Sequence, residues 1–172
     1  PVYAACIGLF VIVGKKKYRN GAVIFVTSVV YFLVVTYFMG KYGLGIMDSR
    51  FTNYMADASK GGLIDVIRNF ITNPAYVVEP EKLSFMFYMI FPLGFLPLAS
   101  KKVSGLILFI PVILENLASN YKYQYSINFQ YVFGTVAILT YLAIVNYSEL
   151  AEKTRRFMAG FAICMGIILL PV

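Results

Sequence analysis

The sequence predicts an all-α protein, a polytopic transmembrane helical bundle with structured loops at one end. Three observations predict it. Of 172 residues, 60% are hydrophobic and only 13% are charged, and the mean hydropathy is +0.75. A soluble domain carries about 25% charged residues and nearer half apolar ones. The apolar residues are arranged in runs of about 15 to 20, the length that crosses a bilayer core. The basic residues sit between those runs rather than on one patch. A soluble globular domain, a disordered chain and a disulfide-stapled module are all excluded on these grounds.

Six apolar segments can be drawn in order, within a single transmembrane region over 1–172: 1–14, 21–40, 83–100, 103–118, 129–146 and 157–172. The first is apolar from Pro1 and is followed by its basic cluster, the reverse of a signal peptide. The last is still apolar at Val172. The chain therefore reads as a piece truncated at both ends, with the missing remainder of its own chain as an expected partner. The second segment is uncharged over twenty residues. The third and fourth contain Pro92, Pro97 and Pro111, which should kink them; neighbouring helices must then satisfy the freed carbonyls.

Charge sets the expected orientation. The odd connections hold nine bases: Lys15, Lys16, Lys17 and Arg19, then Lys101 and Lys102, then Lys153, Arg155 and Arg156. The fourth connection holds Lys122 alone, and the long second one balances bases against acids. By the positive-inside rule, connections 15–20, 101–102 and 147–156 should face the cytoplasm, in a cell membrane. Loops 41–82 and 119–128 should then be external. The net charge of +7 is thus assigned to topology, and no nucleic acid is expected as a partner. Within loop 41–82, Leu63, Ile64, Ile67, Phe70 and Ile71 share one helical face and Pro74 stops the pattern. Such a helix either lies in the membrane interface or packs over the end of the bundle.

Candidate chemistry gathers on the external side. Asp48 and Arg50 follow the second span, where a carboxylate suits a base or metal and a guanidinium suits a phosphate. The same pair also fits a solvated loop or a structural salt bridge. Asp57 and Asp65 are weaker, each fitting the polar face of a short helix. Glu115 and Asn116 end the fourth span, as functional groups or as caps. From Asn120 to Tyr131 the chain is rich in aromatics and amides. Its tyrosines suit interfacial anchoring, while Gln124, Asn128, Gln130 and Tyr131 could line a sugar or lipid-headgroup site. Asn146 opens a formal glycosylation sequon, discounted because it falls on the cytoplasmic side. With no His, and with Cys6 and Cys164 both inside apolar runs, no metal spacing or nucleophile–His pair is present.

Several short motifs occur in a characteristic order: Arg50-Phe51, Asn73-Pro74, Lys82-Leu83, then Pro92-Leu93-Gly94-Phe95-Leu96-Pro97-Leu98. Pro111 with Glu115-Asn116-Leu117, and Gln130-Tyr131 leading to Gly134, complete it. Over about 41–146 the chain resembles the predicted multi-pass membrane proteins catalogued as domain of unknown function 2079. That family is similar in layout to GT-C membrane glycosyltransferases, which draw on a polyprenyl-phosphate sugar donor at the outer face. The resemblance implies a GT-C-like bundle with outward loops over a cleft open to membrane lipid. Arg50, Gln130 and Tyr131 match positions that recur in the family, which assigns them no role; on the glycosyltransferase reading Arg50 would bind phosphate, and Gln130 with Tyr131 would contact the sugar or carrier headgroup. The key acid of GT-C enzymes belongs to a first outward loop upstream of residue 1, as a base or as ligand to a divalent metal, so no catalytic residue is assigned. A transporter or flippase of a lipid-linked or small polar substrate, and a non-catalytic membrane scaffold, stand as the alternatives.

Overall fold

The computed structural model describes residues 1–42, 50–54 and 63–169. Among them the regular structure is all helical: α1 (Val2–Lys15), α2 (Tyr18–Lys41), α3 (Leu63–Thr72), α4 (Pro80–Ile90), α5 (Val103–Ile107), α6 (Phe133–Ser148) and α7 (Glu152–Leu169). Short 3-10 turns and one π-helix, Val112–Leu117, connect them. The all-α expectation holds. Among the described residues two helical stretches, Tyr18–Lys41 and Gln130–Ser148, are long and apolar enough to cross a membrane. At 1.5 Å per residue they extend about 36 and 28 Å, against a hydrocarbon core of about 30 Å.

Helices α1 and α2 form a tight antiparallel hairpin. Lys16 adopts a left-handed conformation (φ 54°) and ends α1, and the Lys17 N–H returns to the Val11 carbonyl at 3.2 Å. Glycine makes the close approach possible: a Cβ on Gly8 would lie 2.7 Å from the Phe25 backbone nitrogen. One on Gly21 would lie 2.7 Å from the Gly8 carbonyl oxygen. Small residues at a crossing let two helices gain dispersion contact where lipid offers no hydrophobic drive.

The third apolar segment differs from a simply kinked span. Its helix, α4, starts at Pro80, where a missing N–H costs nothing. It ends at Ile90, and two consecutive left-handed residues come after it, Gly94 (φ 61°) and Phe95 (φ 58°). The Phe95 N–H caps the Ile90 carbonyl at 3.3 Å, and the Asn146 amide donates to the Leu96 carbonyl at 2.8 Å. The carbonyls released by the break are thus met partly from α6. Helix α7 crosses over it, with Phe161 edge-on to Phe91 at 5.7 Å.

The core follows from these packings. Ile90, Leu108, Phe109, Ile138, Leu139 and Leu142 form one buried cluster, and Phe85, Leu117 and Val132 a second. Helices α1 and α6 run side by side in the same direction, with Tyr3 meeting Thr135 near their starts and Phe10 meeting Tyr141 further on. The segment from α5 to Leu117 runs the opposite way, from Ser104 beside Gly14 to Asn116 beside Tyr3. The connections consequently sort to two ends. The lysine-bearing turns around Lys15, Lys101 and Lys102 gather at one, and Arg50 with the 119–132 stretch at the other.

Candidate functional site

At the end away from the lysines, one asparagine ties two distant stretches together. The Asn120 backbone N–H donates to the Arg50 carbonyl at 2.8 Å. With its amide oriented to satisfy both neighbours, the Asn120 side chain donates to that same carbonyl at 3.1 Å. Its oxygen accepts from the Thr52 N–H at 3.1 Å and from the Thr52 hydroxyl. Held so, Arg50 lies against a touching pair of aromatic rings, its guanidinium carbon 5.0 Å from the Tyr121 centroid and 5.6 Å from that of Tyr131.

The rings continue as a chain of edge contacts. Tyr121 meets Tyr131 at 5.8 Å and Tyr123 at 5.1 Å, and Tyr123 meets Phe129 at 4.3 Å. With Asn128 and Gln130 these side chains line an open recess of about 380 Å³. Partial desolvation, and then the neighbouring Tyr131 phenol, push the Tyr121 phenol above its ordinary range, while Arg50 opposes them. Tyr121 is therefore a neutral hydroxyl at physiological pH. A guanidinium held over an aromatic ring can still offer N–H groups for two-pronged contact with an oxyanion. Aromatic faces and amides alongside suit a polar, ring-shaped group.

Three of the four substrate-binding residues expected from the sequence, Arg50, Gln130 and Tyr131, thus come together. The fourth, Glu115, is half-buried in the π-helix, within electrostatic reach of Arg50. Asp48 and Asp57 lie outside the described residues, and of Asp65 only the backbone is described. Gln124 does not join the recess: it is buried, and its backbone carbonyl accepts from the Asn116 amide. Sequence reasoning missed Tyr121, which it treated as one interfacial anchor among many. The signal available was the alternation Tyr121, Tyr123, Tyr125, which cannot place every ring on the same side of so short a turn.

Buried polar groups brace this end from below. Asn116, 1% exposed, accepts the Thr135 hydroxyl at 2.6 Å, and Tyr3 lies 2.9 Å from that hydroxyl and 3.3 Å from the asparagine oxygen. Gly134 leaves room for the Tyr3 ring, which a Cβ would meet at 2.7 Å. On the other flank Lys82, 0% exposed, pairs with Glu79 at 3.2 Å and lies 5.4 Å from the Tyr125 ring. The 3-10 turn Lys122–Tyr125 is therefore held from two sides, by Asn116 and by Lys82. In the segment between α2 and α4, Phe70 of α3 packs on Tyr54 and the Asn69 amide donates to the Tyr54 carbonyl at 2.6 Å, while Ile71 is exposed.

Among the described residues no three Cys, Asp or Glu side chains converge, so those residues do not fit the divalent metal that the GT-C resemblance implies. Residues 1–171 match the family described as a predicted membrane protein (DUF2079). No curated protein and no solved structure matches the chain.

Proposed function

The chain belongs to the DUF2079 family of predicted membrane proteins, and we propose that it binds the phosphate-linked sugar of a polyprenyl carrier at the outer membrane face, as part of a GT-C-like glycosyltransferase. The observation that carries this reading is Arg50 against the Tyr121 and Tyr131 rings, which themselves line an open aromatic recess. In this reading Arg50 takes the carrier phosphate. The Tyr123 and Phe129 rings stack against the sugar, and Asn128 and Gln130 hydrogen-bond its hydroxyls. The lipid tail stays in the bilayer, and the external placement rests on the basic connections at the other end. Transfer breaks the bond between the sugar's anomeric carbon and the phosphate oxygen and forms one to an acceptor hydroxyl. The described residues bind and orient; none is assigned the acceptor's proton.

The test uses the intact protein in nanodiscs. A polyprenyl-phosphate sugar at a hundred times its dissociation constant should stabilise the folded state by about 2.7 kcal/mol. Arg50→Ala should abolish the shift, each protein being compared with its own ligand-free melting temperature. Release of free carrier phosphate on adding a hydroxyl acceptor then separates transfer from translocation. No stabilisation of a well-folded protein by any lipid-linked sugar would remove the reading.

A further inference from the structure

The proposed site leaves the opposite end of the bundle unexplained. There a recess of about 80 Å³ lies between the end of α1, the turn into α5 and the end of α6. Three lysines border it: Lys15, Lys101 and Lys102. Glu149 neutralises one, pairing with Lys102 at 3.1 Å. Lys15 lies 5.8 Å from the Phe10 ring, and Lys101 has neither a hydrogen bond nor an ion pair among the described residues. The recess thus carries an excess of two positive charges.

Its floor is built by close packing. A Cβ on Gly14 would lie 3.0 Å from the Ser104 hydroxyl oxygen, and one on Gly105 would fall within 2.4 Å of the Ser100 hydroxyl oxygen. Ser104 is only 8% exposed, yet its hydroxyl makes no hydrogen bond among the described residues and it lines the recess. A nearly buried hydroxyl left unused, beneath two uncompensated ammonium groups, is a donor set for an anion. Lys15 lies just before the membrane-length helix α2, which on a transmembrane reading puts this end near the headgroups. Basic pockets between helices at that depth bind anionic lipid headgroups.

We propose that this recess is a binding site for the headgroup phosphate of an anionic phospholipid, held by Lys15 and Lys101 from the rim and by the Ser104 hydroxyl from the floor. The site is separate from the aromatic recess and does not depend on what that recess binds.

The intact protein in neutral detergent provides the test, with melting temperature followed on titration with phosphatidylglycerol, phosphatidylcholine or inorganic phosphate. Phosphatidylglycerol should stabilise and the other two should not. Lys101→Gln should weaken the apparent affinity for phosphatidylglycerol about fivefold, the effect of one lysine at a membrane surface. Lys153→Gln, which removes the same charge from the same end but outside the recess, should leave it unchanged. Ser104→Ala should weaken binding without altering the lipid-free melting temperature. Equal stabilisation by phosphatidylcholine would overturn the proposal, as would an equal response to inorganic phosphate. Equal losses in the Lys101 and Lys153 variants would do so as well, because they would reduce the effect to overall charge.

Discussion

Thr135 donates its hydroxyl hydrogen to Asn116 Oδ1 at 2.6 Å, and neither residue is more than 1% exposed. The bond joins the π-helix to the first turn of α6, and Tyr3 adds α1 to the same junction. Three separate stretches of chain meet there in hydrogen bonds that only one relative register satisfies. Asn116→Leu, nearly isosteric, would leave the Gln124 carbonyl without its donor and Thr135 and Tyr3 with only each other. A loss of about 1–3 kcal/mol is expected in reversible unfolding from mixed micelles. Thr135→Val should cost less: it removes the bonds to Asn116 and Tyr3, but Asn116 keeps the Tyr3 hydroxyl and the Gln124 carbonyl as partners.

Glycine substitutions should divide sharply by position. Gly8→Ala places a methyl against the Phe25 backbone, which cannot yield as a side-chain tip can. It should open the α1–α2 hairpin and cost about 1–3 kcal/mol. Gly160→Ala meets nothing within 4 Å and should be neutral, or should stabilise by up to about 1 kcal/mol through helix propensity. Melting temperatures of the two variants, measured in the same detergent, check the contrast.

At the aromatic recess, charge alone is not expected to suffice. Arg50→Lys keeps the charge but loses the planar surface that lies against Tyr121 and Tyr131. It should weaken carrier binding nearly as much as Arg50→Ala. Tyr121→Phe keeps the ring and should bind almost normally, whereas Tyr121→Leu should lose about 0.5–2 kcal/mol. Binding isotherms for the four variants read this order directly.

Alkaline titration offers a check on the 122–125 turn. Burial first, and then Glu81 and Glu79, raise the Tyr125 phenol above its ordinary value of about 10. A phenol whose folded pKa is raised contributes stability that is complete below the unfolded value and is lost as pH rises through the folded one. Tyrosinate absorbance near 295 nm should therefore lose a late-titrating component in Tyr125→Phe. The stability difference between that variant and wild type should be flat below about pH 10 and should narrow above it.

Much of this architecture can be read in the residues because it depends on periodic, additive properties. Uninterrupted apolarity marks α2 whatever it touches, and the dispersion of lysines between runs anticipates two chemically distinct ends. Arg50, Gln130 and Tyr131 stand out because charge and amide groups beside an apolar span are costly without a use. Other features depend on long-range contact and leave no local trace. Pro92 and Pro97 signal a disturbance, but the left-handed pair falls at Gly94 and Phe95, and Phe95 has no intrinsic leaning that way. Asn146 carries a sequon pattern that says nothing of its packing. Its role as donor to the Leu96 carbonyl requires knowing that fifty residues of chain fold back beside it. Asn116 reads as a helix-end residue because its partners, Tyr3 and Thr135, are remote in sequence.

The π-helix has a consequence for chain length. The Ala118 N–H reaches back five residues to the Ile113 carbonyl, at 2.8 Å, so Val112–Leu117 holds one residue more than an α-helix spanning the same distance. An α-helix turns about 100° per residue. Excising a single residue here would let the segment relax to ordinary winding and rotate the downstream chain by about that angle. Asn116 would then swing off Thr135 and the 119–132 stretch would be re-aimed, although the overall hydropathy profile would scarcely change. In a relative, a one-residue gap at this point would change how the aromatic recess is oriented, and an alignment that slid across it would pair residues that do not correspond.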